Sequence, residues 1–301
     1  MNLNTKKVIL IIGPTAIGKT RLSIDLAKVL NTEIISCDSR QFYKELKIGT
    51  APPNKKELSE IRHHFIHNLS ILEDYNCGQY EHDVIKKINT LHETNDIIII
   101  TGGSGLYIDA ICKGFDLLPK ITNQTRKKTN IKYKKNGLLW LQNKVNNIDP
   151  ETYSKIDKKN PKRLLRVLEI FEETGKKFSL FQSKKTKERP FKIIKIGLNI
   201  ERKKLYNRIN KRVDIMMEKG LLQEAISLIE YQHKNSLQTV GYKEIFTFLN
   251  KECTLKEAVE NIKKNTRRLA KRQLTWFRKD KKIKWYEPNQ LEEIKEFILK
   301  L

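Results

Sequence analysis

A chain of 301 residues, 39% hydrophobic and 32% charged, holds enough apolar material for a large core, or for one core domain and a smaller second one. No apolar run approaches the ~20 residues that cross a bilayer, and the leading Met1–Lys7 is too short and polar for a signal peptide, so a cytoplasmic protein is expected. Cys37, Cys77, Cys112 and Cys253 show no C-x-x-C spacing, which argues for free thiols over a zinc site or a disulfide framework.

The apolar run Val8–Ile12 reads as a buried strand. Gly13-Pro14-Thr15-Ala16-Ile17-Gly18-Lys19-Thr20 follows it, and Leu22, Ile24, Leu26, Ala27 and Leu30 then suit one face of a helix. Strand, glycine loop and helix form the context in which G-x-x-x-x-G-K-[ST] cradles phosphate. Gly13 and Gly18 place no side chain in the way, so the loop amides, through Thr15, Ala16 and Ile17, turn inward on the anion. The helix N-terminus adds partial positive charge and Lys19 a full one, while the Thr20 hydroxyl suits Mg2+. The motif specifies a di- or triphosphate without saying which.

Glu33–Cys37 reads as a second strand, ending in Asp38-Ser39-Arg40-Gln41. Parallel sheets gather ligand groups at the carboxyl ends of strands, which puts Asp38 within reach of the phosphate site; a helix cap is its other reading. Ile48–Pro53 is loop. His63, His64 and His67 lie close enough together for a metal site, but read first as ordinary polar histidines of a strand or loop. Asp83–His92 suits a helix with Val84, Ile85, Ile88 and Leu91 on one side. Asp96–Thr101 is the third strand, followed by Gly102-Gly103-Ser104-Gly105 and a short helix. Many phosphate-loop NTPases end this strand in an aspartate that helps to hold Mg2+. Thr101 and glycines stand here instead, which weighs against an NTPase and turns attention to Asp38.

After Pro119 the strand-like runs stop. Gly137-Leu138-Leu139-Trp140-Leu141 opens one helix, and Asn160-Pro161 opens another with Asn as cap, Pro in the first turn and Gly175 as the stop. Lys162, Arg163 and Arg166 fall largely off its apolar face of Leu164, Leu165, Leu168 and Phe171. They are either a solvated face or phosphate contacts. Strand character returns at Phe191–Ile200. The expectation is therefore an α/β, phosphate-loop-type parallel sheet core from 1–118 and 191–301, interrupted by a helical insertion at 119–190. Arg202–Met217 is helical, with Arg208 and Arg212 four apart on one face, either clamping a diphosphate or facing solvent. Thr254-Leu255-Lys256-Glu257 is a capping box for a helix running to about Arg278, closed by Trp276 and Phe277, which read first as core aromatics and second as base-stacking ones. Ile283–Tyr286 is a last short strand.

The formal net charge is +25 and unevenly spread. Residues 1–118 balance 14 basic against 14 acidic side chains, whereas 119–191 carry +13 and 192–301 carry +12. A small phosphorylated ligand needs only a few cations. Two broadly basic segments outside the phosphate loop fit a polyphosphate partner, meaning nucleic acid. On these features alone a phosphate-loop kinase of a small metabolite stays open, but it leaves the outer charge unexplained.

Taken together the motifs resemble the tRNA dimethylallyltransferase family, in its bacterial form. The resemblance rests on the phosphate loop, Ser36–Gln41 with Tyr43, Ile48–Ala51 and Gly102–Tyr107. It continues through Pro161–Arg166, Val240–Glu244 and Leu269–Arg278, in order from about residue 8 to 285. It implies transfer of a dimethylallyl group from dimethylallyl diphosphate to N6 of the adenosine 3′ of the tRNA anticodon, with the target base flipped into a channel. It implies that Gly13, Thr15, Ala16, Ile17, Gly18, Lys19, Thr20 and Arg212 hold the diphosphate, with Thr20 also near Mg2+. Asp38 is then the general base, with Ser39, Arg40 and Gln41 around the adenine. Ser104, Arg126, Lys162, Arg163, Leu164, Leu165, Arg166, Gln238, Gly241, Tyr242 and Lys243 contact tRNA. Ile17 and Ser104 depart from the residues common at their positions, and Ser104 keeps a hydroxyl. No C-terminal zinc extension is seen, and a monomer is expected.

Overall fold

The side chains of β1 (Lys7–Ile12) alternate between two cores: Ile9 and Ile11 enter one, and Val8, Leu10 and Ile12 the other. This is what an unbroken apolar strand does when helices cover both faces of a parallel sheet. The computed structural model describes residues 6–182 and 186–300; residues 1–5, part of the stretch weighed as a leader, lie outside the described residues. The chain divides into two compact units, Met1–Lys113 with Glu188–Leu301, and Gly114–Lys187.

In the first unit, β1 is followed by α1 (Lys19–Val29), β2 (Ile34–Ser36), α2 (Lys55–Glu60), β3 (His63–His64), α3 (Cys77–Leu91), β4 (Ile97–Gly102) and α4 (Gly105–Lys113). In the second, α5 (Asn123–Ile148), α6 (Pro150–Lys155) and α7 (Pro161–Thr174) gather Leu141, Val145, Leu164, Leu165, Val167 and Leu168 into a core of their own. The first unit resumes with β5 (Lys192–Leu198), α8 (Arg202–Glu218), α9 (Leu221–Ile226), α10 (Tyr242–Leu249), α11 (Leu255–Phe277), β6 (Lys284–Tyr286) and α12 (Leu291–Leu299). Its six strands are ordered β3-β2-β4-β1-β5-β6, with every pair parallel. The fold is thus α/β with a parallel sheet.

One local outcome differs from the sequence reading, and others sharpen it. Helix α3 begins at Cys77, not Asp83, because Asn76 and Gln79 form a capping box that starts it two turns earlier. A helical stretch does open at Gly137: with φ 77° and ψ −174° it is non-helical within α5, so two helices meet there at a kink that a residue without Cβ can adopt. His63 and His64 form an edge strand on β2. The Nδ1 of His63 meets the Ile61 carbonyl at 2.8 Å, and His64 meets the Glu33 carboxylate. Other ends match their signals: Asn160 caps α7 with Pro161 in its first turn and left-handed Gly175 after it, and Thr254 with Glu257 caps α11.

Two close approaches fix the carboxyl edge of the sheet. A Cβ on Gly102 would lie 2.2 Å from the Cys37 carbonyl oxygen, and one on Gly13 would lie 2.9 Å from the Leu198 carbonyl oxygen. Both clashes are with backbone, which cannot rotate away. Gly102→Ala is expected to cost about 1–3 kcal/mol, the usual penalty for overpacking. A lower urea midpoint with an unchanged m-value would show it.

Candidate active site

The carboxyl ends of β1, β2 and β4 open into two adjoining cavities of the first unit. One, of about 420 Å3, is lined by the loop from Thr15 to Thr20, by Gly102, and by Arg208, Lys211 and Arg212 of α8. The other, of about 550 Å3, is lined by Ser39, Arg40, Ser104 and Tyr107, and by Leu269, Arg272 and Trp276 of α11. Thr15, Asp38, Thr50, Ala51, Gly103, Arg212 and Gln273 line both. The shared wall is the natural place for groups in the two cavities to meet.

The first cavity is cationic. Gly18, at φ 107°, lets the loop turn directly into α1, and Ala16 takes a positive φ of 62°. Lys19 donates to the carbonyls of Gly13 (3.0 Å) and Pro14 (2.8 Å). Burial lowers its pKa to about 8, against the pull of Asp38 and with a further push from Arg212. Arg212 donates to the Thr15 hydroxyl and to the Ala51 carbonyl, both at 3.3 Å, and Arg208 to the Ile17 carbonyl at 3.1 Å. The two arginines do not form a free solvent pair: they reach the phosphate loop itself. The Thr20 hydroxyl and the carboxyl groups of Asp38 and Glu57 belong to the same lining.

The second cavity joins polar groups, among them Ser39, Arg40 and Ser104, to an apolar and aromatic wall that includes Tyr107, Val240, Leu269 and Trp276. Asp38 stands just past β2, with one carboxylate oxygen accepting the Arg40 N–H at 2.9 Å. The Ser104 hydroxyl accepts the Ser39 N–H at 3.0 Å and lies 3.3 Å from the Ser39 hydroxyl. The Gln41 amide accepts from the Ser36 hydroxyl at 3.2 Å and donates to the Thr50 and Ala51 carbonyls at 3.3 and 3.1 Å. Gln41 lines the first cavity, while Ser39 and Arg40 line the second.

Two residues of α11 were not anticipated as site residues. The Gln273 side chain accepts the Thr15 N–H and donates to the Gly103 carbonyl, both at 2.9 Å, tying the phosphate loop to the glycine run after β4. Trp276 is not a core residue. It remains 37% exposed, lies where a Cβ on Gly105 would be 2.6 Å from its ring, and lines the second cavity; Phe277 is the buried one. The signal was present as helical spacing: Leu269, Arg272, Gln273 and Trp276 share one face.

The other expected tRNA contacts scatter by burial. In the second unit Arg126, Lys162 and Arg163 are exposed, and half-buried Arg166 reaches the Pro119 carbonyl at 3.4 Å and Glu169 at 3.7 Å. In the first unit Gln238 and Lys243 are exposed, and Gly241 lines the second cavity. Leu164, Leu165 and Tyr242 correct the expectation at side-chain level: they are buried in cores and present no side chain to a partner.

Residues 41–280 match the family described as IPP transferase. The chain is 47% identical over 291 residues to tRNA dimethylallyltransferase 1 of Phocaeicola vulgatus, spanning 97% of each. It is 53% identical over 277 residues to tRNA dimethylallyltransferase of Christiangramia forsetii, spanning 92% of each. Among solved structures it is similar to the tRNA isopentenylpyrophosphate transferase of Bacillus halodurans, with a TM-score of 0.73 at 36% identity over 98% of this chain and 96% of that one. It is also similar to a eukaryotic dimethylallyltransferase acting on tRNA, with a TM-score of 0.80 at 29% identity over 95% of this chain and 75% of that one.

The depressed Lys19 makes anion binding pH-dependent in a defined direction. A bound diphosphate favours the charged amine, so affinity is full below about pH 8 and falls as the free protein loses that proton. An alkyl diphosphate titrated by calorimetry should bind about 10-fold more weakly at pH 9 than at pH 7, as a single proton with this pKa requires. Lys19→Arg should flatten that dependence.

Proposed function

This chain belongs to the IPP transferase family, that of the tRNA dimethylallyltransferases, and we propose that it prenylates tRNA. The donor is dimethylallyl diphosphate and the acceptor is N6 of the adenosine 3′ of the anticodon. The products are N6-isopentenyladenosine and pyrophosphate. The observation that carries this reading is the pair of cavities sharing a wall, one cationic, the other largely apolar and aromatic with a few polar groups, with Asp38 and Arg212 in both. A small-metabolite kinase accounts for the loop but not for the second cavity, the +25 charge or the relatives' names.

The chemistry follows from where the charges sit. Adenine N6 is a weak nucleophile because its lone pair is delocalised into the ring. The allylic C–O bond breaks as the C–N bond forms, and its electron pair leaves with pyrophosphate. Lys19, the loop amides and Arg212 face that growing negative charge, with Lys19 exchanging the Gly13 and Pro14 carbonyls for phosphate oxygens. Asp38 orients N6 and accepts its proton. Ser39 and Arg40 frame the base beside it, while Gln41 stands on the side of the first cavity. Among the described residues no three His, Cys, Asp or Glu stand together as a metal site. The Thr20 hydroxyl with the diphosphate's own oxygens is the hard-oxygen set that suits Mg2+. When bound, the ion neutralises charge on the departing pyrophosphate.

The basic second unit, through Arg126, Lys162 and Arg163, supplies phosphate contacts to the tRNA, with Ser104, Gln238, Gly241 and Lys243 added from the first. A cytoplasmic monomer completes the reading. No helix among the described residues is long and apolar enough to cross a membrane, and both substrates are water-soluble.

Nucleoside mass spectrometry after incubation with unmodified tRNA, Mg2+ and dimethylallyl diphosphate should find a five-carbon adduct on adenosine without ATP. Asp38→Ala should lower that turnover about 10²- to 10⁴-fold, the range for a general acid–base group, and leave tRNA affinity near normal. Near-normal turnover in this variant would remove Asp38 from its role. In a separate salt titration of tRNA binding, Arg163→Ala should reduce the slope of log K against log salt by about one. An unchanged slope returns Arg163 to a solvated face.

A further inference from the structure

We infer that Glu224 is a positioning residue of this active site, acting through the loop at 47–51. The proposal rests on the prenyl-transfer reading above. Glu224 lies on α9, outside both cavity linings. Its carboxylate accepts the backbone N–H groups of Lys47 (2.8 Å), Ile48 (2.9 and 3.1 Å) and Gly49 (3.0 Å). A fourth donor, the hydroxyl of buried Tyr242, meets it at 2.5 Å. A carboxylate offers about four lone-pair sites, and here all are directed at one short stretch of backbone and the residue that backs it.

The same stretch is pinned from behind. A Cβ on Gly49 would lie 2.6 Å from the Tyr242 ring, so the ring lies flush on the backbone there. The loop then turns through Ala51 at φ 46°, a conformation an alanine keeps only where its surroundings enforce it. Its far end delivers the function. The Thr50 and Ala51 carbonyls receive the Gln41 amide, and the Ala51 carbonyl also receives Arg212. Arg212 in turn holds the Thr15 hydroxyl of the phosphate loop. One carboxylate therefore sets, through five residues of backbone, the positions of a side chain beside Asp38 and of the arginine on the diphosphate. This gives Tyr242 a role that exposure could not: its hydroxyl and ring hold the carboxylate and the loop together.

The test is a double-mutant cycle. Glu224→Gln keeps the shape but replaces one acceptor oxygen with a donor, so it cannot serve all four donors. It should lower kcat about 10- to 100-fold, as small misplacements of catalytic groups do, and raise the KM for dimethylallyl diphosphate. tRNA affinity should stay within about 2-fold, because the basic groups proposed to bind tRNA are untouched. Combined with Arg212→Lys, the losses should be strongly non-additive, since Glu224 acts on Arg212 through the Ala51 carbonyl. Additive losses, or normal kcat in a folded Glu224→Gln, overturn the proposal. If Glu224→Gln fails to fold, Glu224→Asp, which keeps the charge and shortens the reach, carries the same cycle and the same two outcomes. Wild-type turnover checks the prenyl-transfer reading by itself, so its failure cannot be mistaken for failure of the Glu224 argument.

Discussion

Two cations held in one partly dehydrated cleft set the terms for the rest of the molecule. Lys19 is buried beside Arg212, and both effects push its proton off, with only Asp38 pulling the other way. Below about pH 8 the fold bears the cost of keeping that amine charged, and the cost fades as pH rises toward the free-lysine value of 10.5. A protein accepts such a penalty where the charge is used. Hydrogen bonds to the Gly13 and Pro14 carbonyls satisfy the amine without cancelling its charge, so it remains available to an anion.

The sheet makes this arrangement stiff. Parallel strands bring the turns after β1, β2 and β4 to one edge, and Gly102 lets β4 approach Cys37 more closely than any other residue allows. Helix α11 then joins the two cavities from the side. Gln273 bonds to the backbone of both the phosphate loop and the glycine run, so the walls of the two cavities share one support. The loop at 47–51, held by Glu224, closes the opposite side. The backbone segments around the cavities are thus held both by residues that line them, Gln273 and Arg212, and by one outside them, Glu224.

The phosphate loop, the strand-end Asp38 and the caps of α7 and α11 were legible in the sequence because each is a local rule. A glycine at a fixed offset, a cap three residues before its partner, or an apolar run long enough for one strand needs no distant information. Tyr242 was not legible in this way. Its motif signals importance, yet whether an aromatic meets tRNA or a carboxylate depends on what folds against it, and here Glu224 does. Trp276 shows the reverse: beside core Phe277 in sequence, it faces a cavity, because helical geometry turns neighbours about 100° apart. Leu164 and Leu165 lie among basic residues that face outward, and helical periodicity alone takes them inside.

By itself, the sequence determined the parts: a phosphate-loop motif, an acid at a strand end, a basic outer chain, and motifs in an order shared with the tRNA dimethylallyltransferases. These are properties of residue type and near-neighbour spacing. Only the tertiary structure decided how the parts are held. Glu224 with Lys47, Ile48, Gly49 and Tyr242, Gln273 with Thr15 and Gly103, and Arg212 with Ala51 are contacts between residues far apart in the chain or made to backbone. A backbone amide or carbonyl carries no sequence signature. Which one a side chain finds is settled when helices and strands pack, so the residues that position the site emerge only from the fold.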